Sequence, residues 1–448
     1  MSFKIEELKD LFLIKLSSNQ KVSINTDSRS ISKDQIFLPL VGDKFNGHDF
    51  INEVFDKNKT SNSFCEKKNT HKVREEYRER LIIVDNTLDA YHKLANFYRK
   101  KINPRVVVVT GSSGKTTVKD LISTILAVRY QTHKTEANYN NEFGVPKTIL
   151  EMPENTKVLV LELAMRGIGE IKYLAKTALP DIAVITNVGT AHIGRLGSTN
   201  EIIRAKCEVF DRLKDDGTAV LHNDPDLIKY ADTVWKGKKI LFSEEEIKNI
   251  SFINGRTSFS FEGKKYCVNA MGLTQALNSV IAIKVASLFH MTYDEIQKGL
   301  LSFQVPRGRG NVIELREDRF LIDEAYNANP NTVKAAVSNL IKSWGDKYRK
   351  ILVLGELAEL GDHEEKLLAE LGGWLERMPV EVITVGDKLK QIKGTCVRDI
   401  KECCAILNKL LLPKTVVLVK GSHVASLEEV VKYLCETYIK IKAGGKIE

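Results

Sequence analysis

The chain lacks several features that would place it outside an ordinary globular setting. Its seven cysteines are odd in number and include no C-x-x-C pair, so neither a disulfide framework nor a zinc knuckle organises the fold. No stretch approaches the roughly 18 apolar residues that a membrane helix needs, and no membrane insertion is expected. The N-terminal segment carries Glu6, Glu7 and Asp10, which a secretory signal would not, so a cytoplasmic protein is expected. No repeat at solenoid period and no low-complexity segment occurs. The net charge of +9 could point to nucleic acid, but the lysines and arginines are spread among 58 acidic residues. That pattern reads as a solvated basic surface or a preference for small anions, with no nucleic-acid partner.

What is present is length and alternation. A chain of 448 residues, 43% hydrophobic and 28% charged, suggests about three domains at roughly 150 residues each. Residues 1–103 hold apolar segments at Ile36 to Val41 and Leu81 to Val84, separated by a charge-rich passage. From Asn103-Pro104 onward, strand-like runs at 106–110, 158–163 and 182–188 alternate with helix-like segments such as Val118 to Val128 and Glu201 to Leu213. That alternation predicts a parallel sheet covered by helices. A second series begins near Val312, with strand-like runs at 320–326, 351–357, 380–386 and 415–421. The seam is expected near Val305 to Arg309, where Pro306, Gly308 and Gly310 interrupt the pattern. The expected division is 1–103, 104–307 and 308–448.

The segment RVVVVTGSSGKTT at 105–117 has the order strand, glycine turn, helix that a phosphate loop requires. Backbone N–H groups of Gly111, Ser112, Ser113, Gly114 and the helix start at Lys115, Thr116 and Thr117 would surround a phosphate. Lys115 would bring a cation to its oxygens, and the Thr116 hydroxyl would reach a magnesium ion. Yet the loop is shorter between its glycines than the usual form. Two further strand ends, Glu162 and the segment leading to His192, fall on the same sheet edge in a parallel arrangement and are candidate metal ligands. A phosphate loop alone does not separate a kinase, a motor, a GTPase or a ligase.

Other segments decide. They are TDSR at 26–29, FNGHDF at 45–50, NYNNEFGVP at 138–146, LELAMRGIGEI at 161–171, TNVGTAHIGRLGS at 186–198, AKCE at 205–208, DEAYNANP at 323–330, LGELAELG at 354–361 and KGS at 420–422. With these segments in this order, the chain resembles the ATP-dependent Mur ligases of peptidoglycan synthesis, whose nucleotide loop has the shortened form G-x-x-G-K-[ST]-[ST]. The segments NYNNEFGVP, GEI and YNANP point within that family to the activity joining D-alanyl-D-alanine to UDP-N-acetylmuramoyl-tripeptide. The resemblance implies three α/β domains: a small N-terminal domain that holds the UDP-sugar, a central P-loop parallel-sheet ATPase domain, and a C-terminal Rossmann-like domain.

The resemblance also implies a chemistry. ATP phosphorylates a carboxylate, and an amine displaces phosphate from the resulting acyl phosphate. Lys115 would neutralise the phosphates, Thr116 and Glu162 would hold one magnesium ion, and His192 would help hold a second. Lys206, which on the residues alone reads as a surface charge, would be carbamylated and thereby turned into a carboxylate that contacts magnesium. Asn278 would contact adenine, and Asp323, Tyr326 and Asn329 would line the base and ribose. Arg309 would approach the phosphates as the C-terminal domain closes. Ser28, Arg29, Asn46, Gly47 and His48 would hold the UDP end; Asn138, Asn141 and Arg166 would line the peptide passage. A monomer is expected. Rival readings are a sister ligase adding a diamino acid, whose D-N-P-R segment is missing here, and a P-loop NTPase switch that ligates nothing. The chain departs from the family pattern at Asp323-Glu324, at Thr274-Gln275, at His423, and over the charged passage Phe55 to Arg80.

Overall fold

The computed structural model describes residues 2–12, 21–57, 59–60, 62–253 and 255–439; the end of the expected C-terminal domain, 440–448, lies outside them. The central sheet is six-stranded and wholly parallel, in the spatial order Lys238–Phe242, Thr218–His222, Ile182–Ile185, Arg105–Thr110, Val158–Glu162, Thr132–Lys134. Val106 to Val109 sit at its centre with no exposed surface. Burying one such side chain is worth roughly 1.5–3 kcal/mol, so this strand anchors the loop that follows it. Register places Glu162 beside Val109 and Ile185 beside Thr110, so three strand ends open on one edge.

One face of the sheet is covered by Lys115–Leu126, which presents Val118, Leu121, Ile122 and Ile125, together with Leu273–Ser287 and Tyr293–Ser302. The other face is covered by Thr87–Ile102, Gly144–Glu151, Glu170–Ala178 and Thr199–Cys207. The helix Thr87–Ile102 also packs on the N-terminal sheet, so one apolar core runs from Phe3 to Trp235. Arg99 and His92 tie that helix to its neighbours. Arg99 donates to the carbonyls of Ala178 and Leu179 at 2.9 Å each. His92 Nε2 donates to the Glu142 carbonyl at 2.7 Å, so its Nδ1 must accept from the Thr177 hydroxyl at 2.6 Å. Burial holds the His92 imidazole down at about 4.

The N-terminal sheet is five-stranded and includes Ser63–Glu66, a buried strand inside the passage that reads as merely charged. Its Glu66 is satisfied by the Thr87 N–H at 3.1 Å and by Asn69 at 3.2 Å. The C-terminal sheet is six-stranded, in the order Asn311–Leu315, Arg319–Glu324, Thr415–Lys420, Arg349–Leu354, Glu381–Val385, Thr395–Val397, with only the first strand antiparallel. A three-stranded antiparallel sheet over 248–268 is appended to the central unit. No helix among the described residues is long and apolar enough to cross a membrane.

Candidate functional site

The glycine turn after the central strand is built by its own residues. Gly111 has φ +148° and Gly114 has φ +76°, and a Cβ on Gly111 would overlap the Thr186 hydroxyl. That hydroxyl donates to the Ser113 carbonyl at 2.6 Å, while Asn187 Oδ1 accepts from Ser113 N at 3.0 Å. The loop is therefore held open from the neighbouring strand. Lys115 Nζ donates to the Gly111 carbonyl at 2.9 Å, and burial lowers its affinity for a proton, offset by Glu162 and reinforced by Arg309.

A cavity of about 280 Å³ lies between this loop and the C-terminal unit. Ser112 to Lys115, Thr117, Glu162, His192 and Asn278 line it from the central side; Arg309, Tyr326 and Asn329 line it from the other. Thr116 instead borders an adjoining cavity that it shares with Asn138 and Arg309. The Arg309 guanidinium lies over the Tyr326 ring at 3.8 Å. Asn329 caps the helix Pro330–Trp344 by accepting from Thr332 N at 3.0 Å.

Glu162 is 2% exposed; its Oε1 accepts from Asn140 Nδ2 at 2.8 Å, and its Oε2 has no protein partner. An orphaned, buried carboxylate oxygen on a residue that lines the same cavity as the phosphate loop fits a hard cation. Among the described residues no three His, Cys, Asp or Glu side chains cluster tightly enough to hold a metal alone. Lys206 is 1% exposed, not the surface charge its sequence context suggests. Burial, with Lys115 adding to it, drives its pKa well below the ordinary lysine value. Carbon dioxide reacts with an amine in its neutral form, and a lowered pKa favours that form.

Beyond His192 lies a larger cavity of about 610 Å³ that Asn138, Asn141 and Arg166 share with Glu359, Ser422 and His423. Asn141 spends its side-chain oxygen on Gly144 N at 3.0 Å. The first-domain set is apart from both cavities. Arg29 is exposed and doubly bonded to Asp27, at 2.9 and 2.8 Å, while Ser28 sits half-buried beside it. His48 is 1% exposed, donating to Asn46 Oδ1 at 2.8 Å and accepting from Glu66 N at 3.1 Å, so it holds the turn from beneath. Gly47 fits where a Cβ would stand 2.7 Å from the Leu40 carbonyl.

The departures acquire partners. Asp323 turns away from the cleft, accepting from Gly308 N at 2.9 Å and Ala325 N at 3.2 Å, and burial raises its pKa. Glu324 lines the cleft in its place, paired with the buried Lys420 at 2.8 Å. Thr274 accepts from Asn339 at 2.7 Å; Gln275 is buried in the cleft with its Oε1 unpartnered. His423 is exposed. Asn140, Asn187, Glu359 and Lys420 all lie inside segments that carry the family resemblance, but only their contacts reveal what they do.

Residues 109–286 match the Mur ligase middle domain and residues 308–423 the Mur ligase glutamate ligase domain. A relative from Bacillus subtilis (strain 168), UDP-N-acetylmuramoyl-tripeptide--D-alanyl-D-alanine ligase, is 33% identical over 92% of this chain and 93% of its own. A Synechocystis protein of the same name is 36% identical over 79% of this chain and 76% of its own. Among solved structures, MurF from Acinetobacter baumannii superposes with a TM-score of 0.88 at 26% identity, over 97% of this chain and 99% of that one. MurF from Thermotoga maritima in complex with ADP gives 0.84 at 28% identity, over 93% of this chain and 97% of that one. The phosphate loop, its strand-end carboxylate and the two matched domains are thus parts of one inheritance, and the chain belongs to the Mur ligase family.

Proposed function

We propose that this chain joins the free carboxylate of UDP-N-acetylmuramoyl-tripeptide to the amine of D-alanyl-D-alanine, with ATP cleaved to ADP and phosphate. The observation that carries this reading is likeness over 92% of the chain to a relative bearing that activity in its name. The ATP part is supported by a T. maritima neighbour in complex with ADP and by the cleft around Lys115.

Phosphoryl transfer between two anions needs alignment and positive charge more than covalent help. Lys115 neutralises the phosphates from the loop side and Arg309 from the other wall. Asn278 and Gln275 face the base, with Tyr326 and Asn329 toward the ribose. Glu162 and Thr116 would hold one Mg2+, and His192 with a carbamylated Lys206 a second; when bound, these cations would supply charge neutralisation for the transfer. Carbamylation joins carbon dioxide to the neutral Lys206 amine with loss of one proton. Ser28, Arg29 and Asn46, on the turn that Gly47 and His48 support, receive the UDP end; Asn138, Asn141 and Arg166 line the path of the peptide. The chain works as a cytoplasmic monomer.

The test is ADP release with UDP-N-acetylmuramoyl-tripeptide, adding and omitting D-alanyl-D-alanine. Release that requires both, with a product heavier by the dipeptide minus water, is expected. Turnover independent of dipeptide would overturn the reading, and release with a diamino acid instead would favour the sister ligase.

A further inference from the structure

The loop that carries His192 meets the C-terminal loop 354–361 head on. His192 Nδ1 lies 2.6 Å from Glu359 Oε2, and Arg195 stands 3.9 Å from Oε1. The backbones meet as well. Gly194 N–H donates to the Glu359 carbonyl at 3.3 Å; a Cβ on Gly194 would stand 2.6 Å from Gly361 N, and one on Gly361 would stand 2.7 Å from Gly194 Cα. Facing glycines permit an approach that side chains would block.

Both partners are also held in a conformation that non-glycine residues rarely adopt, His192 at φ +67° and Glu359 at φ +63°. Such backbone persists only where the surroundings over-determine it, and here each loop is the other's surroundings. His192 lines both cavities, and its Nε2 has no protein partner among the described residues.

We propose that Glu359 is a positioning residue: by engaging Nδ1 from the C-terminal unit it fixes the His192 ring, reserves Nε2 for the cleft, and makes that orientation conditional on domain closure. A carboxylate on the far nitrogen of a metal-binding imidazole sets its tautomer and direction. Supplying that carboxylate from another unit means the ring is set only when the cleft is shut. The assignment rests on the ligase reading for what His192 does, but its closure component does not.

The experiment compares wild type, Glu359→Ala, Glu359→Gln and Gly361→Ala by small-angle X-ray scattering with Mg2+ and a non-hydrolysable ATP analogue, and by ADP-release kinetics. Glu359→Ala is expected to lower kcat about 10- to 100-fold with KM for ATP changed by no more than about twofold. Its radius with the analogue should stay at the unliganded value. Glu359→Gln should recover much of both, because its amide oxygen still accepts from Nδ1–H. Gly361→Ala, which keeps the carboxylate and blocks its seat, should repeat both losses and carries the test if Glu359→Ala does not fold. Closure of Glu359→Ala like wild type, a kcat loss below about threefold, or glutamine no better than alanine would each overturn the proposal. A wild type that closes on nucleotide yet ligates nothing would sink the functional reading while the scattering comparison still decides the contact.

Discussion

Asn140 Nδ2 donates to Glu162 Oε1 at 2.8 Å and leaves Glu162 Oε2 buried with no protein partner. One oxygen orients the carboxylate and the other is free to bind. Asn140→Ala should therefore lower activity about 10- to 100-fold and raise the Mg2+ concentration needed for half-maximal rate. ADP release across a Mg2+ titration checks this; an unchanged Mg2+ dependence would remove Asn140 from the site.

Lys206 is buried and held well below the usual lysine pKa. Lys206→Ala should abolish ligation, and small carboxylic acids should restore part of it by standing where the carbamate would. The measurement is ADP release with and without added acetate or formate. Failure of every acid to rescue would leave the carbamate without support.

Gly111 cannot carry a side chain, because its φ is +148° and a Cβ would overlap the Thr186 hydroxyl. Gly111→Ala should displace the loop and weaken ATP binding beyond detection by calorimetry, while the remainder of the central sheet still folds. Tight binding by the variant would show that the loop tolerates another path.

His92 gives a pH prediction with a definite sign. Its folded pKa is about 4, below the ordinary histidine value of 6.5, so the unfolded chain binds more protons between those values. Stability is unaffected by this group above about pH 6.5, falls as pH drops toward 4, and by then has lost about 3 kcal/mol at 1.4 kcal/mol per unit. His92→Gln should be less stable at pH 7, by about 1–2 kcal/mol for the altered hydrogen bonds, yet should lose less on acidification. Urea melts of both proteins from pH 7 to pH 4.5 read the difference, and parallel slopes would refute it.

Local pattern made the central strands and the phosphate loop legible, because a buried parallel strand must be continuously apolar and a phosphate turn must be glycine-rich. The observed strands at Arg105–Thr110, Val158–Glu162 and Thr415–Lys420 fall where those runs are. The run at 182–188 reads as longer than the strand Ile182–Ile185, since Thr186 and Asn187 leave the ladder to brace the loop. Ser63–Glu66 was hidden because a buried strand containing Glu66 breaks the apolar rule, and its carboxylate is satisfied by partners that no local window contains.

The amino-acid sequence by itself determined the class of fold, the phosphate site and the family, since each rests on residue types at short spacing or on segments in fixed order. Only the tertiary structure decided which charges are buried and which groups meet. Lys206 is a cation on a helix until packing removes its water; loops from two different sheets bring Glu359 and His192 within 2.6 Å, and neighbouring strands of one sheet bring Lys420 and Glu324 within 2.8 Å, contacts that no local window contains. Burial and long-range contact arise from the arrangement of whole elements, and no stretch of sequence carries them alone.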